Sequence, residues 1–183
     1  MPDYRRRSFC GGYYFFTVVT YNRRPFLTST SARQLLRESW RRVYADYPFQ
    51  SIAICLLPDH LHCIWRMPEE DCDYSTRWRL IKTFFSKAWI LTESCQPIQS
   101  DSRDKKKELP VWHRRFWEHQ IRDMRDLEKH CNYIHYNPVK HKFVEEAIQW
   151  PWSTYRRFVR DDRFLNLSQE NLDWMAKTAK IAE

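Results

Sequence analysis

The sequence predicts an α+β fold: a small antiparallel sheet with helices packed on one face. Three observations predict it. Strand-like alternation and helix-like apolar spacing take turns along the chain, in the order β-α-β-β-α-β-α. Two apolar runs are separated only by Pro58-Asp59, the mark of a hairpin. Only two glycines occur, adjacent at Gly11-Gly12, so the chain carries neither a dinucleotide-binding fingerprint nor a P-loop.

Each element has its own signal. Residues 12–20 are aromatic and β-branched, which predicts a central strand. Asn22 to Pro25 makes a turn. Residues 31–47 carry Leu35, Leu36, Trp40, Val43 and Tyr44 at helical spacing, so one face of a helix meets the sheet. Residues 49–57 form an apolar run and predict a second strand, and residues 60–67 its hairpin partner. Residues 74–91 place Trp78, Ile81, Phe84, Phe85, Ala88 and Trp89 on a second helix. Residues 93–107, with Pro, Ser, Gln and Lys105-Lys106-Lys107, read as a loop. Residues 112–121 predict a fourth strand. Residues 123–136 predict a third helix with Met124, Leu127, Cys131 and Ile134 as its apolar stripe. Pro138 should end or kink it. Trp150-Pro151-Trp152 should pack back onto the domain. The order fits a split, ferredoxin-like sheet with a C-terminal helical extension, its second face open to carry a site. Residues 1–160 form the domain, including a basic N-terminal arm, and residues 161–183 a tail.

Composition narrows the function. The chain has 183 residues, a net charge of +8, and 30 aromatic residues: nine Trp, ten Tyr and eleven Phe. A basic surface attracts polyanions, and exposed rings stack on unpaired bases. No 18-residue apolar stretch and no signal-peptide core occur, so a cytoplasmic protein is expected, with no membrane span. The six cysteines form no C-x-x-C pair, so buried, inert thiols are expected.

Two motifs carry chemistry. In His60-Leu61-His62 the two imidazoles sit two residues apart on a strand, so they share a face with Leu61 opposite. A pair of neutral imidazoles suits a divalent cation in an open site. In Tyr133-Ile134-His135-Tyr136-Asn137-Pro138, helical spacing brings Tyr133 and Asn137 together, with Lys140 near the end of the row. A phenol, an amide and an ammonium suit phosphoryl transfer. His-x-His alone is a weak signal, and the plain alternative to the second motif is a helix end with an Asn cap and two packed tyrosines.

Residues 57–65, Leu-Pro-Asp-His-Leu-His-Cys-Ile-Trp, resemble the HUH motif region of the REP-associated tyrosine transposases, where U is a hydrophobic residue. Arg115-Phe116-Trp117-Glu118-His119, residues 133–141 and the opening Tyr4-Arg5-Arg6 with Gly11-Gly12 are similar to that family too. The resemblance spans about residues 4–158 and implies an HUH nuclease fold. It implies His60 and His62 as ligands of Mg²⁺ or Mn²⁺, and Tyr133 as the nucleophile that forms a 5′-phosphotyrosine. Asn137 falls where broader insertion-sequence relatives carry a glutamine ligand. The implied substrate is a single-stranded or hairpin DNA, the repetitive extragenic palindrome, met at the nucleoid. The group is expected to act as a monomer, with a homodimer as the alternative. Tyr136 is the rival nucleophile, turned about 60° from Tyr133 on a helix.

DNA contacts are expected from Tyr4, Arg5, Arg6 and Arg7, from Arg77 and Lys82, and from Lys140. Asp59 serves the turn or orients a histidine. Glu118 and His119 are expected to be structural.

Overall fold

A computed structural model describes residues 10–93 and 109–160. The N-terminal arm, the three loop lysines and the tail lie outside the described residues. The elements follow the predicted order. They are β1 (Tyr13–Val19), α1 (Thr30–Asp46), β2 (Gln50–Leu56), β3 (His60–Arg66), α2 (Tyr74–Glu93), β4 (Trp117–Gln120), α3 (Met124–Lys140) and a short α4 (Tyr155–Arg160). The sheet order is β2-β3-β1-β4, and every neighbouring pair is antiparallel. That is the split ferredoxin-like order.

Alternation along β1 and β3 divides two cores. Tyr14, Phe16 and Val18 with Leu61, Cys63 and Trp65 face α1 and α2. Phe15 and Ile64 face the other way, toward Leu127, Cys131 and Ile134 of α3. The second face is therefore not open: α3 lies across it. Ser29 caps α1 by accepting from the Ala32 amide, and Asp123 caps α3 by accepting from the Asp126 amide. Gly11 has φ +75°, and a Cβ there would lie 2.9 Å from the Glu69 Cα, so glycine is required at that crossing.

Three expectations need correction. β4 is only four residues long, because Trp112 makes an isolated bridge to Thr20 rather than joining the ladder. α3 runs through Pro138 to Lys140. Its end is set just beyond Lys140 by a Schellman motif, in which Phe143 N–H bonds the Pro138 carbonyl and Lys142 N–H the Val139 carbonyl, with Lys142 at φ 59°. Cys55, Cys63 and Cys131 are buried as expected, but Cys10 is exposed. No helix among the described residues is long and apolar enough to cross a membrane.

Candidate active site

β3 opens with His60, and its alternation sends His60 and His62 onto the second face. Both are buried, 4% and 2% exposed, with ring centroids 4.9 Å apart. Each ring is held by its Nδ1. The Asp59 carboxylate lies 2.6 Å from His60 Nδ1, and Thr17 Oγ1, opposite His62 in the β1–β3 register, lies 2.9 Å from His62 Nδ1. The Asp59 carboxylate can only accept, so His60 carries its proton on Nδ1 and leaves Nε2 the lone pair a metal ligand needs; the Thr17 hydroxyl supports the same tautomer of His62 when it accepts from Nδ1.

Electrostatics favour the same state. Burial, then the neighbouring His60, His141, Lys140 and Arg23, hold His62 well below the usual histidine range, so it is neutral. Burial alone would raise Asp59, but the His60 hydrogen bond and the Arg23 guanidinium bring it down to about 2. It is a carboxylate throughout the physiological range and can hold the His60 proton.

α3 brings the second half of the site. Its residues 133, 137 and 141 form one row, four apart. Tyr133, 3% exposed, meets His62 with centroids 5.1 Å apart. His141 meets His60 at 5.3 Å. Asn137 lies between them on that row, 1% exposed, and neither atom of its amide has a hydrogen-bond partner among the described residues. A buried unsatisfied amide atom costs about 1–3 kcal/mol, so the arrangement suits a group that supplies the missing partner. The donor set of two imidazole Nε2 atoms and one amide oxygen fits a divalent cation with open positions. Lys140 places its ammonium 5.8 Å from the Tyr133 ring centroid. Tyr136 makes no ring contact with either histidine.

A further cluster sits beyond Phe15. His119 Nε2 is 2.9 Å and His130 Nδ1 3.1 Å from the Asp126 carboxylate, and the two rings stack at 4.6 Å. Their ligand atoms lie within 4.8 Å of one another, so the group could hold a metal ion. Its hydrogen bonds describe another role. His130 Nδ1 also reaches the Asp126 carbonyl at 2.8 Å, and Asp126 accepts from the Arg122 amide at 3.0 Å. The cluster thus clamps the start of α3 to β4. The His130 ring packs on Phe15, which also touches His62 and Tyr133.

Among the expected DNA contacts, Arg77 is corrected. It is 1% exposed, and its guanidinium binds Asp71 and the carbonyls of Tyr47, Pro48 and Asp73. It ties α2 to the end of α1 and has no face toward a ligand. Lys82 donates to the carbonyls of His113 and Arg114. Tyr4, Arg5, Arg6 and Arg7 lie outside the described residues.

Sequence reasoning gave no role to His141, Thr17, Asp126 or His130. His141 had a signal: it continues the 133–137 row by one more turn. Thr17 had none, because only strand pairing brings it to a residue 45 positions away.

A family model described as IS200-like transposase matches residues 8–137. A REP-associated tyrosine transposase of Escherichia coli K12 is 42% identical over 87% of this chain and 86% of its own length. A Haemophilus influenzae protein provisionally given the same name is 42% identical over 87% of this chain and 89% of its length. A solved structure of a REP-associated tyrosine transposase bound to a REP hairpin is 41% identical. It superposes with a TM-score of 0.70, covering 87% of this chain and 86% of that one.

Proposed function

We propose that this chain, which belongs to the IS200-like transposases and among them to the REP-associated tyrosine transposases, nicks and rejoins single-stranded DNA at REP-type hairpins. The observation that carries the reading is the contact of Tyr133 with His62, itself paired with His60, on one buried face of the sheet. The hairpin-bound relative supports a hairpin DNA as the partner.

In this reading His60, His62 and Asn137 hold Mg²⁺ or Mn²⁺, which polarises the scissile phosphate when bound. The Tyr133 phenolic oxygen gives its proton to water, attacks phosphorus and forms a P–O bond to the 5′ side. The bond to the 3′-oxygen breaks, and that oxygen leaves as a 3′-hydroxyl after gaining a proton. Negative charge on the phenolic oxygen is favoured by the nearby Lys140 ammonium. The free 3′-hydroxyl can reverse the step, so rejoining needs no nucleotide cofactor. Asp59 and Thr17 hold the imidazoles in register throughout.

The test is a labelled REP-type hairpin incubated with the protein and Mn²⁺, then denatured and separated. A covalent protein–DNA adduct is expected, lost in Tyr133→Phe and kept in Tyr136→Phe. Adduct that survives Tyr133→Phe and disappears in Tyr136→Phe reverses the assignment. Tight hairpin binding with no adduct under any metal makes the chain a binding protein on an enzyme's fold.

A further inference from the structure

A groove of about 510 Å³ runs between α1 and the segment 151–154, away from the two-histidine face. Its floor is Trp40, Ile54 and Trp152, and its rim is Arg33, Arg37 and Arg41. The three arginines are four residues apart, so their side chains form one row about 6 Å apart along the helix axis. Like charges at this spacing disfavour a helix by about 0.2–0.5 kcal/mol per pair. Arg37 and Arg41 are exposed and make no ion pair or hydrogen bond among the described residues. Glu38, on the same helix, accepts from the Gln34 amide. Arg33 stands 5.2 Å over the Trp152 ring and donates to Thr28 and Thr30.

The groove is joined to the paired histidines by a file of rings. His60 meets His141 at 5.3 Å, His141 stacks on Phe143 at 6.0 Å, Phe143 on Trp150 at 5.4 Å, and Trp150 meets Trp152 at 4.9 Å. The file is anchored: Trp150 Nε1 donates to the Leu56 carbonyl, and the Trp152 carbonyl accepts from the Leu56 amide. The 152–154 segment thereby also covers the free edge of β2.

We infer that this groove binds an unpaired DNA strand continuous with the hairpin, with Arg37 and Arg41 on its phosphates and the half-exposed Trp40 and Trp152 rings, the latter already under Arg33, beside its bases. The inference rests on the proposed function. Two guanidiniums without an ion pair among the described residues, Arg37 and Arg41, in a row beside half-exposed indole rings are the combination that single strands use. A duplex offers the charge but keeps its base faces stacked inside, so the rings would gain nothing from it.

The experiment compares wild type with Arg37→Ala/Arg41→Ala, both exposed positions, on two probes. One is the hairpin alone, and the other the same hairpin with single-stranded extensions at both ends. Binding is read by fluorescence anisotropy over a range of salt. The variant should bind the extended hairpin about tenfold more weakly, with the log–log salt slope smaller by about 1.4, while the bare hairpin changes less than about twofold. Equal weakening on both probes, or none on the extended one, overturns the inference. If the variant keeps adduct formation on the bare hairpin but loses the extension's added affinity, both readings stand. If wild type forms no adduct and binds neither probe, the proposed function falls and takes this one with it.

Discussion

The two faces of one sheet do different work. On the α1/α2 side β1 and β3 present Tyr14, Phe16, Val18, Leu61, Cys63 and Trp65. Trp65 stacks on Trp78 at 4.4 Å and meets Phe49 at a tilt at 4.1 Å, and Phe16 packs among Trp65, Tyr74 and Trp78. On the α3 side the same strands present Thr17, His60 and His62, and the helix answers with His130, Tyr133 and Asn137. The pleat alternates by one residue, so a single strand supplies stability to one side and chemistry to the other. Apolar area drives folding on the first face. The second face carries buried polar groups, some of them unsatisfied, which favour a ligand over the bare fold.

Mutations separate the faces. The largest effects come from a pair. Trp65→Ala should lower unfolding free energy by about 3–5 kcal/mol in a denaturant titration. Tyr133→Phe should leave that titration nearly unchanged while abolishing the covalent adduct. Equal destabilisation by the two would erase the distinction between the faces. Asp59→Asn comes next. It removes the carboxylate that holds the His60 proton, and should weaken divalent-metal affinity about 10–100-fold by calorimetry with hairpin affinity intact. An unchanged metal isotherm would show that His60 needs no such support.

Asp126 sharpens the comparison through pH. Although burial raises it, hydrogen bonds from His130, His119 and the Arg122 amide hold its folded pKa well below the usual value. A depressed carboxylate contributes stability that is present above the unfolded value, near 3.9, and is lost as pH falls toward the folded one. Asp126→Asn should therefore lower Tm clearly at pH 7 and progressively less as pH drops below about 4. A Tm difference independent of pH would mean that Asp126 acts only by shape. The smallest effect should come from Asn137→Leu, measured without metal. It should raise stability by about 1 kcal/mol, since it removes two buried unpartnered atoms. A loss of stability would show that the amide is satisfied within the fold.

The fold was legible because its signals are local. Strand and helix cores, the hairpin at Pro58-Asp59 and the His60/His62 shared face follow from periods of two and 3.6 residues. The ends were less legible. β4 came out short because Trp112 is diverted to Thr20, and α3 passed Pro138 because its cap depends on Lys142 and Phe143. Arg77 read as a solvent-facing cation, yet it is the polar plug between two helices; nothing near it in sequence shows that Tyr47, Pro48 and Asp71 close around it.

The sequence alone determined which residues share a strand face or a helix row, since those relations hold within a few residues of backbone geometry. Only the tertiary structure decided that α3 crosses the second face and brings Tyr133 to His62 and His141 to His60. It alone set Thr17 beneath His62, joined His119 to Asp126 and His130, and lined up the rings that lead to the arginine groove. Such meetings depend on strand order and on which apolar stripe buries against which sheet face. That choice belongs to the whole core, and no window of the sequence contains it.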